Sequence, residues 1–418
     1  MISPGSKGWV SKYFDLVDKG EIVLEVERPE NMRKIDFMHL TLAKSGINFG
    51  HALTFIYAKN IDSSEWTSEE KLKFLLFESH LFIFKQVKKD EYKRENFIQH
   101  LCAFYQGHSV SSISKLFQLF GKDSEEEKIE KTLSKRVDIK INILENKWWV
   151  NTFSNAFSFI DVILFDDFIH KDRDQALNSY HLFAKNAMIS VILAAHADNE
   201  IEDQERAMFN IFLASANFED EERDQIKSKF ENGATIEDFS FFVKNHWMLK
   251  HFLLDISILT AISNDVLLDE ELEFLIEMSE EFGISFHELE QSIALTEGFM
   301  LDTEQTLEFM NDSSSYKKAY SSISKRWTKI IIRNKDKLTT ELQQSKELIS
   351  LIKKSASQDL TSEEKETVKT QFKDVVKSVP ALAIFLLPGG ALLLPIVLKI
   401  IPDLIPSAFK ENEIDEEP

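Results

Sequence analysis

The chain has few of the residues that end helices or form tight turns. Its 418 residues contain 12 glycines and 8 prolines, and six of the prolines follow residue 379. A many-stranded sheet needs frequent turns, whereas long stretches rich in Lys, Glu, Leu and Phe favour helices. We therefore expect an all-α fold, with multi-helical soluble domains followed by a C-terminal, proline-containing membrane segment.

Cysteine and catalytic motifs are also scarce. The single cysteine, Cys102, excludes an intramolecular disulfide framework and a multi-cysteine metal cage. No Gly-x-Ser-x-Gly elbow or phosphate-binding glycine loop occurs, and His287-Glu288 lacks the second histidine of a zinc-protease helix. Residues 1–14 are polar and have no apolar core of signal-peptide length. We expect a protein that is not an enzyme, needs no cofactor and is not exported.

Positive charge is in deficit over most of the chain. The formal net charge is −21, which opposes non-specific binding to nucleic acid, so no DNA partner is expected. Residues 317–377 are the exception, with 15 Lys or Arg against 8 Asp or Glu. This basic stretch predicts contact with anionic lipid or ribosomal RNA, and lipid is the simpler explanation beside a membrane segment.

Composition and charge divide the chain into five predicted regions. These are an N-terminal helical domain at 1–147, a helical bundle at 148–310, a basic helical neck at 317–378, a membrane segment at 379–401 and an acidic tail at 402–418. Capping boxes predict helix starts after Thr67, Ser285 and Thr361. Within the neck we expect two helices, at about 323–355 and 362–376. The aromatic run that begins at Trp148 is interpreted as a core helix, with a partner-docking stripe as the alternative.

The helical bundle contains an internal repeat, centred on residues 177–300. Residues 195–205 and 261–271 are 66 positions apart, and each is an acidic turn between two apolar helices. The carboxylates offer the oxygen ligands that Ca²⁺ or Mg²⁺ prefers. The candidate ligands are Asp198, Glu200, Glu202, Glu205, Asp265, Asp269 and Glu271. The favoured interpretation is that these residues cap the following helix and complement its dipole, so no firm metal site is assigned.

An uncharged apolar run precedes the acidic tail. Residues 379–398 carry no charge, and a helix over 379–401 would be about 34 Å long, enough to cross a hydrocarbon core. Pro388, Pro395 and Pro402 are spaced by seven and each removes a backbone donor. We expect a kinked or broken helix; the alternatives are oligomerisation around the freed carbonyls and a helix lying in the interface.

Orientation follows from the lysines beside this run. Lys365, Lys369, Lys373 and Lys377 precede it, and an acidic sequence follows it. The positive-inside rule places residues 1–378 in the cytoplasm and the tail on the other side. A re-entrant segment would instead return the tail to the cytoplasm.

The motif around this run resembles the membrane signature of the LETM-type family, the leucine-zipper, EF-hand-containing transmembrane proteins of the mitochondrial inner membrane. The matching sequences are DVVKSVP at 374–380, LLP at 393–395 and IPDLIPSAF at 401–409. The signature positions are Asp374, Pro380, Pro388, Pro395, Pro402 and Pro406. The resemblance implies cation/proton exchange or binding of ribosomes at a membrane.

The sequence departs from that family in three ways. Ala391 stands where the family has a glutamate between its second and third membrane prolines, which argues against exchange because an intramembrane carboxylate would carry the proton. No leucine zipper or 12-residue EF-hand loop occurs. Only nine residues follow Phe409, so the ribosome-binding domain of the family is expected to be missing.

Two further resemblances complete the functional prediction. The arrangement is similar to bacterial LETM-related proteins of the biofilm-associated kind, and the repeat is similar to tellurite-resistance B-like helical domains. We therefore expect a membrane-anchored binding or scaffold protein whose partners are membrane lipid, the ribosome and further copies of the chain. The alternative is a component of a cation/proton exchange system that moves K⁺ or Ca²⁺ against H⁺.

Overall fold

The computed structural model describes most of the chain. The described residues are 2–29, 32–89, 92–108, 123–138, 155–170, 173–198, 200–264, 267–306, 313–378, 382 and 393–404. Every regular element in these ranges is a helix, and no strand occurs among them. The all-α prediction is confirmed for this part of the chain. The described ranges include no helix that is long and apolar enough to cross a membrane.

The chain divides into two compact units, and the N-terminal unit contains Met1–Asn264 and Leu268–Ile284. Its described helices begin with α1 (Trp9–Asp18), α2 (Lys34–Ser45), α3 (Ser68–Val87), α4 (Arg94–Gln106), α5 (Glu125–Val137) and α6 (Ser158–His170). The next six are α7 (Arg173–Asn178), α8 (Tyr180–Ala195), α9 (Asp203–Ser215), α10 (Asp220–Asn232), α11 (Trp247–Ala261) and α12 (Asp269–Glu281). Short 3₁₀ helices lie at Ile47–Phe49, Ile236–Asp238, Phe241–Asn245 and Ile262–Asn264.

Predicted capping boxes begin three of the helices. At the start of α3 the Glu70 backbone N–H donates to Thr67 Oγ1 over 3.2 Å, and the Thr67 N–H donates to Glu70 Oε2 over 2.9 Å. The Ser285–Glu288 and Thr361–Glu364 pairs make the same reciprocal bonds. These contacts confirm the three predicted helix starts, because each satisfies backbone donors that have no partner inside the helix.

The repeat is visible in the helices around the acidic turns. Helix α8 leads into α9 and α11 leads into α12, and the bounds of α9 and α12 differ by 66 positions at both ends. Helices α8 and α11 pack together through two small polar side chains: Ser190 Oγ lies 2.8 Å from Ser257 Oγ. Ser190 also donates to the Leu253 carbonyl over 2.8 Å, so no hydroxyl is left unsatisfied at this contact.

A buried ion pair joins α5 to α6. Arg136 binds Asp161 in a fork, with Nε 2.6 Å from Oδ2 and Nη2 2.8 Å from Oδ1. His108 Nε2 lies 3.2 Å from Oδ1, and the Tyr105 hydroxyl donates to Oδ2 over 3.3 Å. Burial alone would raise the pKa of Asp161, but Arg136 and His108 outweigh it and hold the pKa well below its usual range. Asp161 is fully buried, so its charge depends on these partners.

A second buried carboxylate holds the segment between the 3₁₀ helix at Ile47–Phe49 and α3. Glu78 on α3 accepts the backbone N–H groups of Ile56, Tyr57 and Ala58 over 2.6, 3.1 and 2.9 Å. Its Oε1 also accepts the Tyr13 hydroxyl over 2.9 Å. Glu78 is fully buried, and burial raises its pKa to about 7 although all four donors oppose the rise. One side chain thus satisfies three consecutive backbone donors that lie outside any helix.

Cys102 lies on α4, where it faces α5. Its thiol is 3.5 Å from the Glu125 carbonyl oxygen, and the side chain is buried. Burial raises the pKa of Cys102 to about 12, so the thiol stays protonated at neutral pH.

The C-terminal unit contains Asp265–Leu267 and Ser285–Pro418. Its helices are α13 (Phe286–Thr306), α14 (Ser313–Arg333), α15 (Lys335–Leu342), α16 (Lys346–Ser357), α17 (Ser362–Ser378) and α18 (Leu394–Leu404). The prediction of a single helix at about 323–355 is wrong, because the helical structure is interrupted after Arg333 and again after Leu342. Ser345 accepts the Leu348 N–H over 3.2 Å and caps α16, and Asn334 Nδ2 donates to the Ile330 carbonyl over 2.9 Å at the end of α14.

Candidate functional site

The two acidic turns are candidate sites, and their described carboxylates belong to the N-terminal unit. In the first, Asp198 Oδ1 accepts the Glu200 N–H over 3.0 Å, and Glu205 Oε2 accepts the Glu202 N–H over 2.8 Å. Glu200 and Glu202 are exposed, whereas Glu205 is buried. Two of the carboxylates therefore accept backbone donors at or just before the start of α9, as the capping interpretation predicts.

The second turn repeats this arrangement. Glu271 Oε2 accepts the Leu268 N–H over 2.7 Å, so Glu205 and Glu271 occupy equivalent positions in α9 and α12. Asp269 is exposed in the first turn of α12, and Asp265 lies outside the described residues. In each copy, the glutamate at the third helical position therefore bonds the backbone N–H of the residue that precedes the helix, which ties the acidic turn to the helix start.

These two glutamates are chemically unusual. Burial raises the pKa of Glu205 to about 7 and that of Glu271 to about 8, although the capping N–H lowers each. The 3₁₀ helix Ile262–Asn264 packs against α9, so the two turns lie near each other. Repulsion from Glu205, Asp198 and Glu202 accordingly raises the pKa of Glu271 further. Glu271 Oε1 is buried without a hydrogen-bond partner. Even so, the described ranges hold no group of three or more His, Cys, Asp or Glu side chains that could bind a metal ion.

We predict that the acidic turns do not bind divalent cations. Each buried glutamate already accepts a backbone N–H through Oε2, and a cation that approached the other oxygen would have to enter a buried site without the further ligands that Ca²⁺ or Mg²⁺ needs. Calorimetric titration of the full chain with Ca²⁺ and Mg²⁺ should show no saturable heat at millimolar metal. A saturable heat that disappears in the Glu205→Gln/Glu271→Gln variant would contradict the capping interpretation, and Glu200→Gln, an exposed change, is the matched control.

The membrane-signature residues are only partly described. Asp374 is exposed on α17, Pro395 is exposed at the second position of α18, and Pro402 is half-buried in its last turn. Pro380, Pro388 and Pro406 lie outside the described residues, as does most of the predicted membrane segment. Pro395 removes no helical hydrogen bond at its position, whereas Pro402 cannot donate to the Leu398 carbonyl.

Exposed cations mark one face of α14 in the C-terminal unit. Lys325, Lys329 and Arg333 are all exposed and are separated by four residues each, which places them on one stripe of the helix. We name these three residues the basic stripe. The exposed residues Lys335 and Lys337 follow on α15, and Lys365 and Lys369 are exposed on α17. This unit can therefore present several positive charges to a polyanion although the chain as a whole is acidic.

The sequence did not predict that α18 packs against other helices of this unit. Its residues were assigned to the membrane segment and the tail, but α18 packs against α14 and α16, two helices of the predicted neck. Leu393, Val397 and Ile401 are all fully buried. The three-to-four-residue spacing of the apolar residues and the charges of Lys399 and Asp403 were the available signal for an amphipathic helix.

Comparison with known proteins concerns the C-terminal end of the chain. A family model described as "LETM1-like, RBD" matches residues 360–418. The "LETM1 domain-containing protein YLH47, mitochondrial" of Saccharomyces cerevisiae is 36% identical over 63 residues, which cover 15% of this chain and 14% of the yeast protein. No solved structure matches the chain.

The family match corrects one expectation and supports another. The ribosome-binding region of the family was expected to be missing, but the family model with that description covers α17, α18 and the residues after them. The resemblance to LETM-type proteins is supported by both comparisons. Residues 360–418 of this chain are therefore similar to a LETM1-like domain.

Proposed function

We propose that this chain is a non-catalytic adaptor that binds ribosomes through its C-terminal unit. The observation that carries the proposal is the match of residues 360–418 to a LETM1-like ribosome-binding domain. The helices of that match belong to the same compact unit as the basic stripe. A ribosome presents phosphate groups over most of its surface, and exposed lysine and arginine side chains are the groups that bind phosphate.

Electrostatics explains why binding would be confined to this unit. The basic neck has a net positive charge in a chain with a net charge of −21, so the remainder of the surface repels phosphate. The spacing of Lys325, Lys329 and Arg333 lets three cations reach one ribosomal surface together. Each cation that pairs with a phosphate releases counterions, so binding should weaken steeply as salt increases.

We predict that reversing the basic stripe strongly weakens ribosome binding. In the Lys325→Glu/Lys329→Glu/Arg333→Glu variant, the affinity at low salt should fall at least ~10-fold, because up to three phosphate contacts become repulsive. The slope of log affinity against log salt should decrease by about 2–3. Sedimentation of the full chain with ribosomes through a sucrose cushion, repeated over a series of salt concentrations, measures both quantities.

A matched variant separates the basic stripe from net charge. Lys19→Glu/Lys59→Glu/Lys227→Glu makes the same charge change on exposed residues of the N-terminal unit and should bind ribosomes almost as the unchanged protein does. Equal losses in the two variants would indicate a general charge effect. Equal binding by all three proteins would overturn the proposed role of the basic stripe.

We further propose that the adaptor works at a membrane, with the bulk of the chain on the cytoplasmic side. The support is the LETM-type match, the apolar sequence at 379–401 and the exposed lysines on α17 that precede it. An association with biofilm or envelope processes, a tellurite-resistance B-like assignment of the repeat and self-association are finer proposals that rest on sequence resemblance alone. The rival proposal of cation/proton exchange rests on Asp374, a carboxylate that is exposed at the end of α17.

A further inference from the structure

Helix α18 presents two different faces along its short length. Leu394, Val397, Leu398 and Ile401 follow the i, i+3, i+4, i+7 spacing of one helical face, and all four are buried. Pro395, Lys399 and Asp403 are exposed. The helix is therefore amphipathic, and protein covers most of its apolar face, on which Ile400 is half-buried.

The cover comes from two helices of the basic neck. Helix α18 packs against α14 and α16, and we name these two helices the cradle. Among the side chains of the cradle whose burial the structure describes, the buried ones are Ile323, Trp327, Ile330, Ile331, Leu348, Ile349 and Ile352. This apolar face is already removed from water by the cradle, so transfer into lipid brings it no additional hydrophobic free energy while it stays packed there.

The length of α18 limits how it can contact a membrane. Its 11 residues span about 16 Å as an α helix, roughly half of a hydrocarbon core. A helix of this length with Lys399 and Asp403 on one side suits the interface, with its apolar face towards the acyl chains and its charges towards water. The face that would enter lipid is the face that now packs on α14 and α16, so the two contacts exclude each other.

We propose that α18 is a stowed lipid-binding helix, which the cradle holds until it is released to the surface of a membrane. The proposal rests on the membrane contact proposed above and adds a regulatory step to it. Anything that loosens the cradle increases lipid binding, and anything that tightens the cradle reduces it. The lipid component needs no specific headgroup, because the recognition is between an apolar helical face and acyl chains.

The test loosens the cradle without changing α18. Ile352→Asp places a charge at a fully buried position of α16, and Ile352→Ala is the milder form that leaves a cavity.

Flotation of the full chain with vesicles of pure phosphatidylcholine measures lipid binding without attraction between the basic stripe and anionic lipid. Cleavage after Lys399 by a lysine-specific protease reports release of α18, because a packed helix resists cleavage. The ratio of bound to free protein should rise at least ~10-fold in Ile352→Asp and less in Ile352→Ala.

The matched control is Ile332→Asp, the same change at an exposed position of α14. It should float and resist cleavage like the unchanged protein, and circular dichroism should show that all variants keep their helices. Equally rapid cleavage at Lys399 in the unchanged protein and in Ile352→Asp would overturn stowing. Strong flotation of the unchanged protein while Lys399 stays protected would overturn the lipid role of α18 but would leave membrane contact through the rest of the apolar sequence standing. Rapid cleavage in Ile352→Asp without flotation would overturn the lipid role of α18 and count against the membrane contact itself.

Discussion

Replacing Asp161 with asparagine is expected to lower the free energy of unfolding of the N-terminal unit by about 3–5 kcal/mol. The change keeps the shape of the side chain but leaves the guanidinium of Arg136 buried without a counter-charge. His108 and Tyr105 would also lose a charged acceptor. Urea denaturation of the full chain measures the loss, and hydrogen exchange in peptides from α5 and α6 assigns it to this unit.

Two further variants separate the buried charge from ordinary helix packing. Glu126→Gln removes the partner of Arg94 in a half-exposed ion pair between α4 and α5, 2.8 Å long, and should cost less than about 1 kcal/mol. Arg136→Met combined with Asp161→Leu removes both charges and should recover much of the stability that Asp161→Asn loses. An Asp161→Asn variant as stable as Glu126→Gln would contradict the role assigned to the buried pair.

Replacing Glu78 with alanine is the second large expected effect, a loss of about 3 kcal/mol or more. The change leaves the three backbone N–H groups of residues 56–58 and the Tyr13 hydroxyl without their acceptor, and each buried donor without a partner costs about 1–3 kcal/mol. Glu130→Ala is the matched control, because Glu130 accepts only two backbone N–H groups, those of Gly8 and Val10. Urea denaturation at pH 6 should show the larger loss for Glu78→Ala.

Glu78 also predicts how stability depends on pH. Its pKa is raised to about 7 in the fold, so the stability it contributes is fully present below the pKa of the unfolded chain and is lost as pH rises through 7. Its contribution to the free energy of unfolding should therefore fall between about pH 4.5 and pH 7, by at most about 1.4 kcal/mol per pH unit, and level off at higher pH. Glu78→Gln removes this titrating group and should make the measured slope shallower, leaving the part that Glu205 and Glu271 contribute through their own raised pKa values. An unchanged slope in Glu78→Gln would assign the pH dependence to other groups.

Local sequence patterns predicted the helical fold class and three helix starts, but they did not predict where every helix ends. Thr67 and Glu70 are three residues apart, so one short motif determines the start of α3. The scarcity of glycine and proline predicted helices throughout, and the described residues bear this out. The predicted helix at about 323–355 was wrong because Asn334 and Ser345 fit a periodic helical pattern in the sequence, whereas in the structure Asn334 bonds the Ile330 carbonyl just after α14 and Ser345 caps the start of α16.

The candidate sites also differ in how far the sequence alone could predict them. The acidic turns and the LETM-type motif are contiguous in sequence, so the sequence revealed both before the structure was known. The partners of Asp161 are 25, 53 and 56 positions away along the chain, and only tertiary packing brings them together. The packing of α18 on the cradle was missed for a related reason: uninterrupted apolar sequence identifies a face that must be covered but does not say whether lipid or protein covers it.

The position of Cys102 has a practical consequence for labelling experiments. Its thiol is buried between α4 and α5 and stays protonated at neutral pH, so it should react slowly with maleimide reagents. A cysteine introduced at an exposed position such as Lys399 would then be the fast-reacting thiol of the chain. A fluorescent dye on that residue could follow α18 in real time without removal of the native cysteine.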